Sequence, residues 1–294
     1  MDLDTAHLQN FTKSLALKGR RPATVDSYRR DAESFFKYMA SENLLFKDLE
    51  PETLTHYQQW LTQSDKSNSI RRKIIGARQF FRFLADERII QDTPFDDAPI
   101  PERIELLPQP IAYRSIKELI NSLADSSGLK AARDRVILCL LALEGLKASE
   151  LIDIKWHGLF MSASEFSLKV PGSRSRRIFL QTETAIAIRR YKSEVSLLQE
   201  KRQRKFDRMC LGFKGKDASL VLDKMTRHGV KFLLYELGHI VKYPKLNTEV
   251  LRHHAVTYQL ANGKSPEELM NHLGLRRLGN IAKHLGREAS RQEG

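Results

Sequence analysis

The order of apolar and polar positions predicts a mainly helical chain. Leu3, Phe11 and Leu15 recur at helical spacing over residues 3–17, and Lys18-Gly19-Arg20-Arg21-Pro22 ends that run. Val25, Tyr28, Ala32, Phe35, Phe36 and Met39 form one stripe of a second helix, from about Thr24 to Met39. A third starts at Pro51, a residue favoured at the first helical position, and continues through Leu54, Tyr57, Trp60 and Leu61. Ser67-Asn68-Ser69 reads as the amino-terminal cap of a fourth, whose apolar face is Ile70, Ile74, Ala77, Phe80, Phe81 and Leu84. Four amphipathic helices predict a small helical domain over residues 1–92. Residues 93–110 hold Pro94, Pro99, Pro101, Pro108 and Pro110 and read as an extended linker.

A second domain is expected over residues 111–294. Ser115-Ile116-Lys117-Glu118 has the pattern of a capping box before Leu119, Ile120 and Leu123. Residues 133–146 are almost continuously apolar and too many for a typical strand, which predicts a buried helix. Phe166, Leu168 and Val170 alternate, Pro171-Gly172-Ser173 turns, and residues 176–180 return, giving a β-hairpin with a basic tip. Helices are expected over about 182–204 and 226–238. Another covers 247–261, closed by Asn262-Gly263, and Ser265-Pro266-Glu267-Glu268 opens one that runs to about His272. A last helix falls at about 278–288. The expected fold class is mainly α with a small β-sheet.

Charge narrows the function. The 294 residues carry 49 Lys and Arg against 36 Asp and Glu, a net +13. Residues 1–106 hold 16 basic and 17 acidic side chains, which leaves 33 and 19 for the remainder, so the second domain carries the excess. The first is neutral in sum but sorted: Lys18, Arg20, Arg21, Arg29 and Arg30 cluster, as do Lys66, Arg71, Arg72, Lys73, Arg78 and Arg82. The acids collect in residues 48–52 and 92–105. A balance this basic favours an acidic partner, most often nucleic acid. No apolar run approaches the roughly 18 residues needed to span a bilayer, and the acidic start Met1-Asp2-Leu3-Asp4 lacks the apolar core of a secretion signal. Cys139 and Cys210 are too few for a disulfide framework or a zinc site. The expectation is a cytoplasmic, nucleoid-associated protein with no metal and no cofactor.

Several local motifs, in order, resemble the tyrosine recombinase (phage integrase) family. Thr24-x-x-x-Tyr28-x-x-Asp31 leading into Phe35-Phe36, then Ser69-Ile70-Arg71-Arg72 leading into residues 78–84, is similar to the family's SAM-like core-binding domain. Arg133-Asp134-Arg135 followed by Glu144-Gly145-Leu146-Lys147-Ala148-Ser149-Glu150-Leu151 looks like the first catalytic box, and Leu251-Arg252-His253-His254-Ala255 looks like the second. Leu269-Met270-Asn271-His272-Leu273-Gly274 looks like the helix before the third. The resemblance spans nearly the whole chain and implies a helical core-binding domain joined to a recombinase catalytic-type α+β domain, clamped around duplex DNA.

The chemistry implied by the family is attack of a tyrosine hydroxyl on a DNA phosphodiester. Two arginines neutralise the non-bridging oxygens, and a histidine or lysine manages the leaving-group proton. Here the first arginine's position is Lys147, a point charge without a bidentate fork. The hairpin lysine's position is Ser173, and no lysine lies between Lys169 and Lys192. Glu249 stands where the histidine before the second arginine is expected, while that arginine is kept as Arg252. Leu275 replaces the histidine after Leu-Gly, and His284 occupies the place of the nucleophilic tyrosine, with no tyrosine after Tyr258.

The implied protein binds double-stranded DNA on a recombinase fold without recombinase catalysis. Its expected DNA contacts are Arg20, Arg21, Thr24, Tyr28, Arg29, Ser69, Arg71, Arg72, Lys73 and Arg78 in the first domain. Lys147, Arg174, Arg176, Arg177 and Arg252 would contact the backbone from the second. Lys147 and Arg252 read first as phosphate contacts, with buried structural cations as the alternative; His253 and His254 read as core or surface histidines, and the run Lys201-Arg202-Gln203-Arg204-Lys205 reads equally as a track for a phosphate backbone or a solvated helix end. Two other functions stay open. One is an active recombinase with a displaced or in-trans nucleophile, for which Tyr258 is the nearest candidate. The other is an accessory subunit whose partner is a second copy or an intact recombinase.

Overall fold

The apolar stripes of the first 90 residues become helices α1 (Thr5–Leu17), α2 (Pro22–Ser41), α3 (Pro51–Thr62) and α4 (Ser67–Asp86). The computed structural model describes residues 5–104, 109–162, 165–214 and 220–281. The chain divides into two compact units, Met1–Leu106 and Leu107–Gly294.

The core of the first unit is aromatic. Phe35 meets Tyr57 at 5.0 Å and Phe81 at 5.4 Å, both edge-on, and Phe81 meets Phe95 at 4.6 Å. Such pairs add about 0.5–1.5 kcal/mol beyond the burial of their area. Phe95 belongs to the stretch expected as linker, yet it is fully buried with Ala98 beside it. The proline-rich composition did not reveal that one large ring in it would seal the helical core. Ser67-Asn68-Ser69 is likewise not a cap. The helix starts at Ser67 after Lys66, which makes no side-chain cap bond, and so the Asn68 amide is free for another use.

The second unit begins with α5 (Tyr113–Asp125) and α6 (Leu129–Ala142). Ser115 and Glu118 lie inside α5, because the helix starts one turn early at Ala112-Tyr113 and has no side-chain cap. Every residue from Ala132 to Ala142 is buried, as a helix without a polar face requires. After α7 (Ala148–Leu151), strands β1 (Leu159–Met161), β2 (Phe166–Val170) and β3 (Arg176–Phe179) form an antiparallel sheet in that order. Leu168 is opposite both Leu159 and Ile178. Helix α8 (Thr182–Arg202) packs along α6, and β4 (Gly212–Lys214) pairs antiparallel with β5 (Leu220–Leu222). Three helices complete the unit: α9 (Arg227–Ile240), α10 (Thr248–Ala261) and α11 (Pro266–Leu273). The α11 box forms as the sequence predicts: Glu268 N–H donates to Ser265 Oγ at 3.2 Å and Ser265 N–H to Glu268 Oε2 at 2.8 Å. The last expected helix falls almost wholly outside the described residues. Among the described residues, no helix is long and apolar enough to cross a membrane.

Candidate functional site

In the second unit the α6–α7 turn, the β2–β3 hairpin, α10 and the end of α11 converge. Two glycines in left-handed conformation permit it. Gly145 has φ +68°, and a Cβ there would stand 2.6 Å from the Leu273 side chain. Gly274 has φ +62°, and its missing Cβ leaves room for the Arg176 guanidinium.

Four cations meet at this point, and three of them bond within the fold. Arg252 donates to the carbonyl of Gly145 at 2.5 Å and of Leu273 at 3.1 Å, tying α10 to both glycine turns. Arg176 donates from Nε to the His272 carbonyl at 2.5 Å and from Nη1 to Glu150 Oε1 at 2.9 Å. Arg174 donates to the Gly274 carbonyl at 3.2 Å. Glu150 also accepts the backbone N–H of Lys147 at 2.9 Å. Burial pushes the Glu150 carboxyl up, but the Arg176 bond, the Lys147 N–H and both charges outweigh it and hold it below the usual range. Burial lowers Arg252, and burial together with the Arg252 charge lowers the Lys147 ammonium.

The arrangement is a cationic cluster tied together by its own hydrogen bonds. Arg252 and Arg176 serve the fold, which favours the structural reading of Arg252 and removes Arg176 from the exposed hairpin tip, since its side chain is only 10% exposed. Glu249 lies exposed in the first turn of α10, its N–H donated to Asn247 Oδ1 at 2.9 Å. Leu275 packs against the small cluster of Val256, Leu269, Leu273 and Ile281. Ser173 is exposed in the β2–β3 turn, and the exposed Arg177 lies over the Phe160 ring at 3.8 Å. His284 lies outside the described residues.

The histidines are structural. His254 is buried, its Nδ1 is 2.9 Å from the Ala142 carbonyl, and burial lowers its pKa. It stacks with Tyr113 and with Tyr258 at interplanar angles of 3° and 10°. Tyr258 is therefore part of a ring stack, and burial raises its phenol pKa, which disfavours the ionised oxygen a nucleophile needs. His253 is buried on the same helix. Sequence reading missed a further network beside them. His272 Nε2 lies 3.2 Å from the Glu144 carbonyl and 3.3 Å from its carboxylate, and Gln259 donates to the Leu143 carbonyl at 2.5 Å. Lys264 Nζ donates to Gln259 Oε1 at 2.8 Å and lies 3.1 Å from His272 Nδ1. Glu144 is fully buried, and only the folded arrangement of α6, α10 and α11 brings these four together.

In the first unit α2 packs against α4, and the expected contact residues there differ in exposure and in their partners. Arg20 and Arg21 are exposed ahead of α2, and Thr24, Tyr28, Ser69 and Arg71 are half-buried. Arg29 pairs with Asp26 at 2.8 Å and Glu33 at 2.5 Å, and Lys73 with Asp65 at 2.7 Å. Arg72 pairs with Asp31 and donates to Ser27 Oγ at 2.9 Å, yet keeps 47% of its side chain exposed. Asp31 is wholly buried, and burial raises its carboxyl against the lowering charge of Arg72. Arg78 is a correction. It is buried and donates to the carbonyls of Asp96 and Ala98, so it anchors the segment after α4 instead of facing a partner.

Among the described residues no group of three or more His, Cys, Asp or Glu side chains could hold a metal ion. Cys139 and Cys210 are buried thiols, and burial pushes Cys210 up to about 12.

Known proteins match the chain along its length. The family described as phage integrase, N-terminal SAM-like domain, matches residues 8–88. The tyrosine recombinase XerC of Staphylococcus saprophyticus subsp. saprophyticus is 27% identical over 279 residues, covering 92% of this chain and 88% of that one. The XerC of Anoxybacillus flavithermus is 25% identical over 288 residues, covering 90% of each. Among solved structures, the XerH site-specific recombinase bound to its difH substrate in a pre-cleavage complex aligns with a TM-score of 0.73 at 14% identity, over 99% of this chain and 84% of that one. The Tn1549 transposon integrase in complex with a circular intermediate DNA aligns with a TM-score of 0.63 at 15% identity, over 95% and 94%. At such identities the structural matches speak for the fold. With the relatives that cover about nine tenths of the chain, they give it a tyrosine recombinase fold that carries a phage integrase SAM-like domain over residues 8–88.

Proposed function

We propose that the protein works in DNA recombination or its control by binding double-stranded DNA, and that it does not itself cut the strand. One observation carries the reading: Arg176 and Arg252, the guanidiniums of the second unit's cluster, donate to Glu150 and to backbone carbonyls. A catalytic pocket needs such donors aimed at charge that develops on the substrate. The residues at the family's reactive positions support it: Glu249 and Leu275 stand where histidines are expected, and His284 is not a phenol. The relatives named as recombinases, and the solved neighbours named with DNA substrates, support duplex DNA as the partner. Cations that remain exposed in the first unit, Arg20, Arg21 and Arg72 among them, supply phosphate contacts that need no chemistry.

A mobility-shift titration tests the binding. With about six to ten phosphates neutralised, affinity falls by ~10³–10⁵ between 50 and 200 mM salt. Absence of duplex binding at low salt would remove the proposal.

A further inference from the structure

Asn68, at the start of α4, makes two hydrogen bonds to one residue far along the chain. Its Nδ2 donates to the Ile104 carbonyl at 2.7 Å, and the Ile104 N–H donates to its Oδ1 at 3.2 Å. The side-chain amide thus pairs with Ile104 as a neighbouring strand's backbone would, and fixes the extended segment beside α4. The residue before Ile104 is Arg103. It comes to line, with Tyr28, Arg71, Arg72, Asn68 and Ile75, a pocket of about 350 Å³ on the first unit. Three of these lining residues are arginines. Arg72 is held from below by buried Asp31 and by Ser27. Arg71 Nε is buried without a hydrogen-bond partner, and among the described residues neither Arg71 nor Arg103 has an ion-pair partner. Of the acids near α2 and α4, Asp26 faces Arg29 and Arg30 and Asp65 faces Lys73, while Glu102, next to Arg103 in sequence, is exposed.

Three like charges gathered round an open pocket, two of them uncompensated, repel one another unless an anion enters. Guanidiniums suit one kind of guest best, a tetrahedral oxyanion that accepts several forked N–H donors. Tyr28 adds a hydroxyl that can donate to the same oxygens. We propose that this pocket is a phosphate-binding site for the DNA backbone, that Arg103 is one of its ligands, and that Asn68 and Asp31 are positioning residues for Arg103 and Arg72. The proposal rests on the duplex-binding reading above and adds to it one defined phosphate and a contact from a segment whose composition is acidic.

The experiment compares Arg103→Ala, Asn68→Ala and Lys37→Ala, the last an exposed cation of the same unit outside the pocket, in duplex titrations across a salt series. Loss of Arg103 weakens binding about tenfold and lowers the slope of log K against log salt by about 0.9, the value for one phosphate contact. Asn68→Ala moves both quantities the same way by a smaller amount with its melting temperature unchanged, and Lys37→Ala leaves both near wild type. On methylphosphonate-substituted duplexes, one position weakens wild type but has no further effect on Arg103→Ala. Replacing chloride by inorganic phosphate at equal ionic strength weakens wild type more than Arg103→Ala, because the free ion competes with the DNA phosphate for the same donors. Unchanged affinity and slope in Arg103→Ala, while wild type still binds, would overturn the site and leave duplex binding standing. A pocket that serves a free ion alone would leave every methylphosphonate position equally costly to wild type and Arg103→Ala, and that result would equally overturn it. Wild type that binds no duplex would instead fail the reading beneath.

Discussion

The two arginine clusters of this protein share a composition and differ in what their donors touch. In the first unit Arg71, Arg72 and Arg103 line an open pocket, and only Arg72 is tied down, by one carboxylate and one hydroxyl. In the second, Arg174, Arg176 and Arg252 give donors to carbonyls of Gly145, His272 and Gly274 and to Glu150, at 2.5–3.2 Å. A guanidinium has five donors in a fixed fork, so each bond inside the fold is one fewer for a phosphate. The difference teaches that charge counted along the sequence does not locate a binding surface. Unit two holds the excess of positive charge, whereas the arginines that line a pocket without an ion-pair partner among the described residues, Arg71 and Arg103, lie in unit one.

The largest expected effect tests that asymmetry. Arg71→Glu with Arg72→Gln, which keeps Asp31 hydrogen-bonded, weakens duplex binding by ~10²–10³, since two phosphate contacts are lost and one charge is reversed. Arg174→Gln with Arg177→Gln, and Lys201→Glu with Arg202→Glu, each cost less than about tenfold. Equal losses, read by anisotropy at fixed salt, would put both clusters on the duplex and dissolve the distinction.

Stability sharpens it from the other side. Glu150→Ala leaves Arg176 buried without its carboxylate and costs about 3 kcal/mol in denaturant unfolding of the second unit. A cost under about 0.5 kcal/mol would mean the pair is no more than a surface contact. In the first unit Gly76→Ala drives a methyl into Asp31, because a Cβ at Gly76 overlaps the Asp31 side chain. Overpacking of this kind costs about 1–3 kcal/mol, and adding Asp31→Gly, which removes the Cβ nearest the new methyl, restores part of it if Asp31 is the obstacle.

The smallest effect is a pH dependence. Burial lowers the His254 pKa below its ordinary 6.5, so the folded state prefers the neutral ring. Its contribution to stability is therefore complete above pH 6.5 and is lost as pH falls toward the folded pKa. His254→Gln flattens the melting temperature of the second unit between pH 7 and 5, whereas an unchanged slope would assign the acid sensitivity to another group.

Much of this molecule was legible in its sequence where period and caps agree. The stripes of α2 and α4, the apolar run of α6, the hairpin of β2 and β3 and the capping box of α11 all follow from local rules. Strands β1, β4 and β5 have three residues each, too few for alternation to register. The site was legible in its residue types but not in their commitments. Arg78 and Arg176 sit in basic clusters, yet tertiary contacts bury both. Arg103 lies among Asp92, Asp96, Asp97, Glu102 and Glu105, where composition reads as a negative segment, and the Asn68 bonds to Ile104 help to bring it beside Arg71 and Arg72.

The central claim, binding without cleavage, is tested most directly on a denaturing gel with labelled, nicked suicide duplexes carrying the protein's bound site. The account predicts no covalent adduct from the protein as it stands, and none from His284→Tyr alone. A restored phenol would still lack the donors that Glu249 and Leu275 replace, each worth about 3–4 kcal/mol of barrier. Lys147→Arg, Glu249→His, Leu275→His and His284→Tyr together are the smallest set expected to yield traces of cleavage. A shifted band from the unmodified protein, resistant to heat and detergent and lost on protease digestion, would contradict the account, and mapping the modified residue would name the nucleophile.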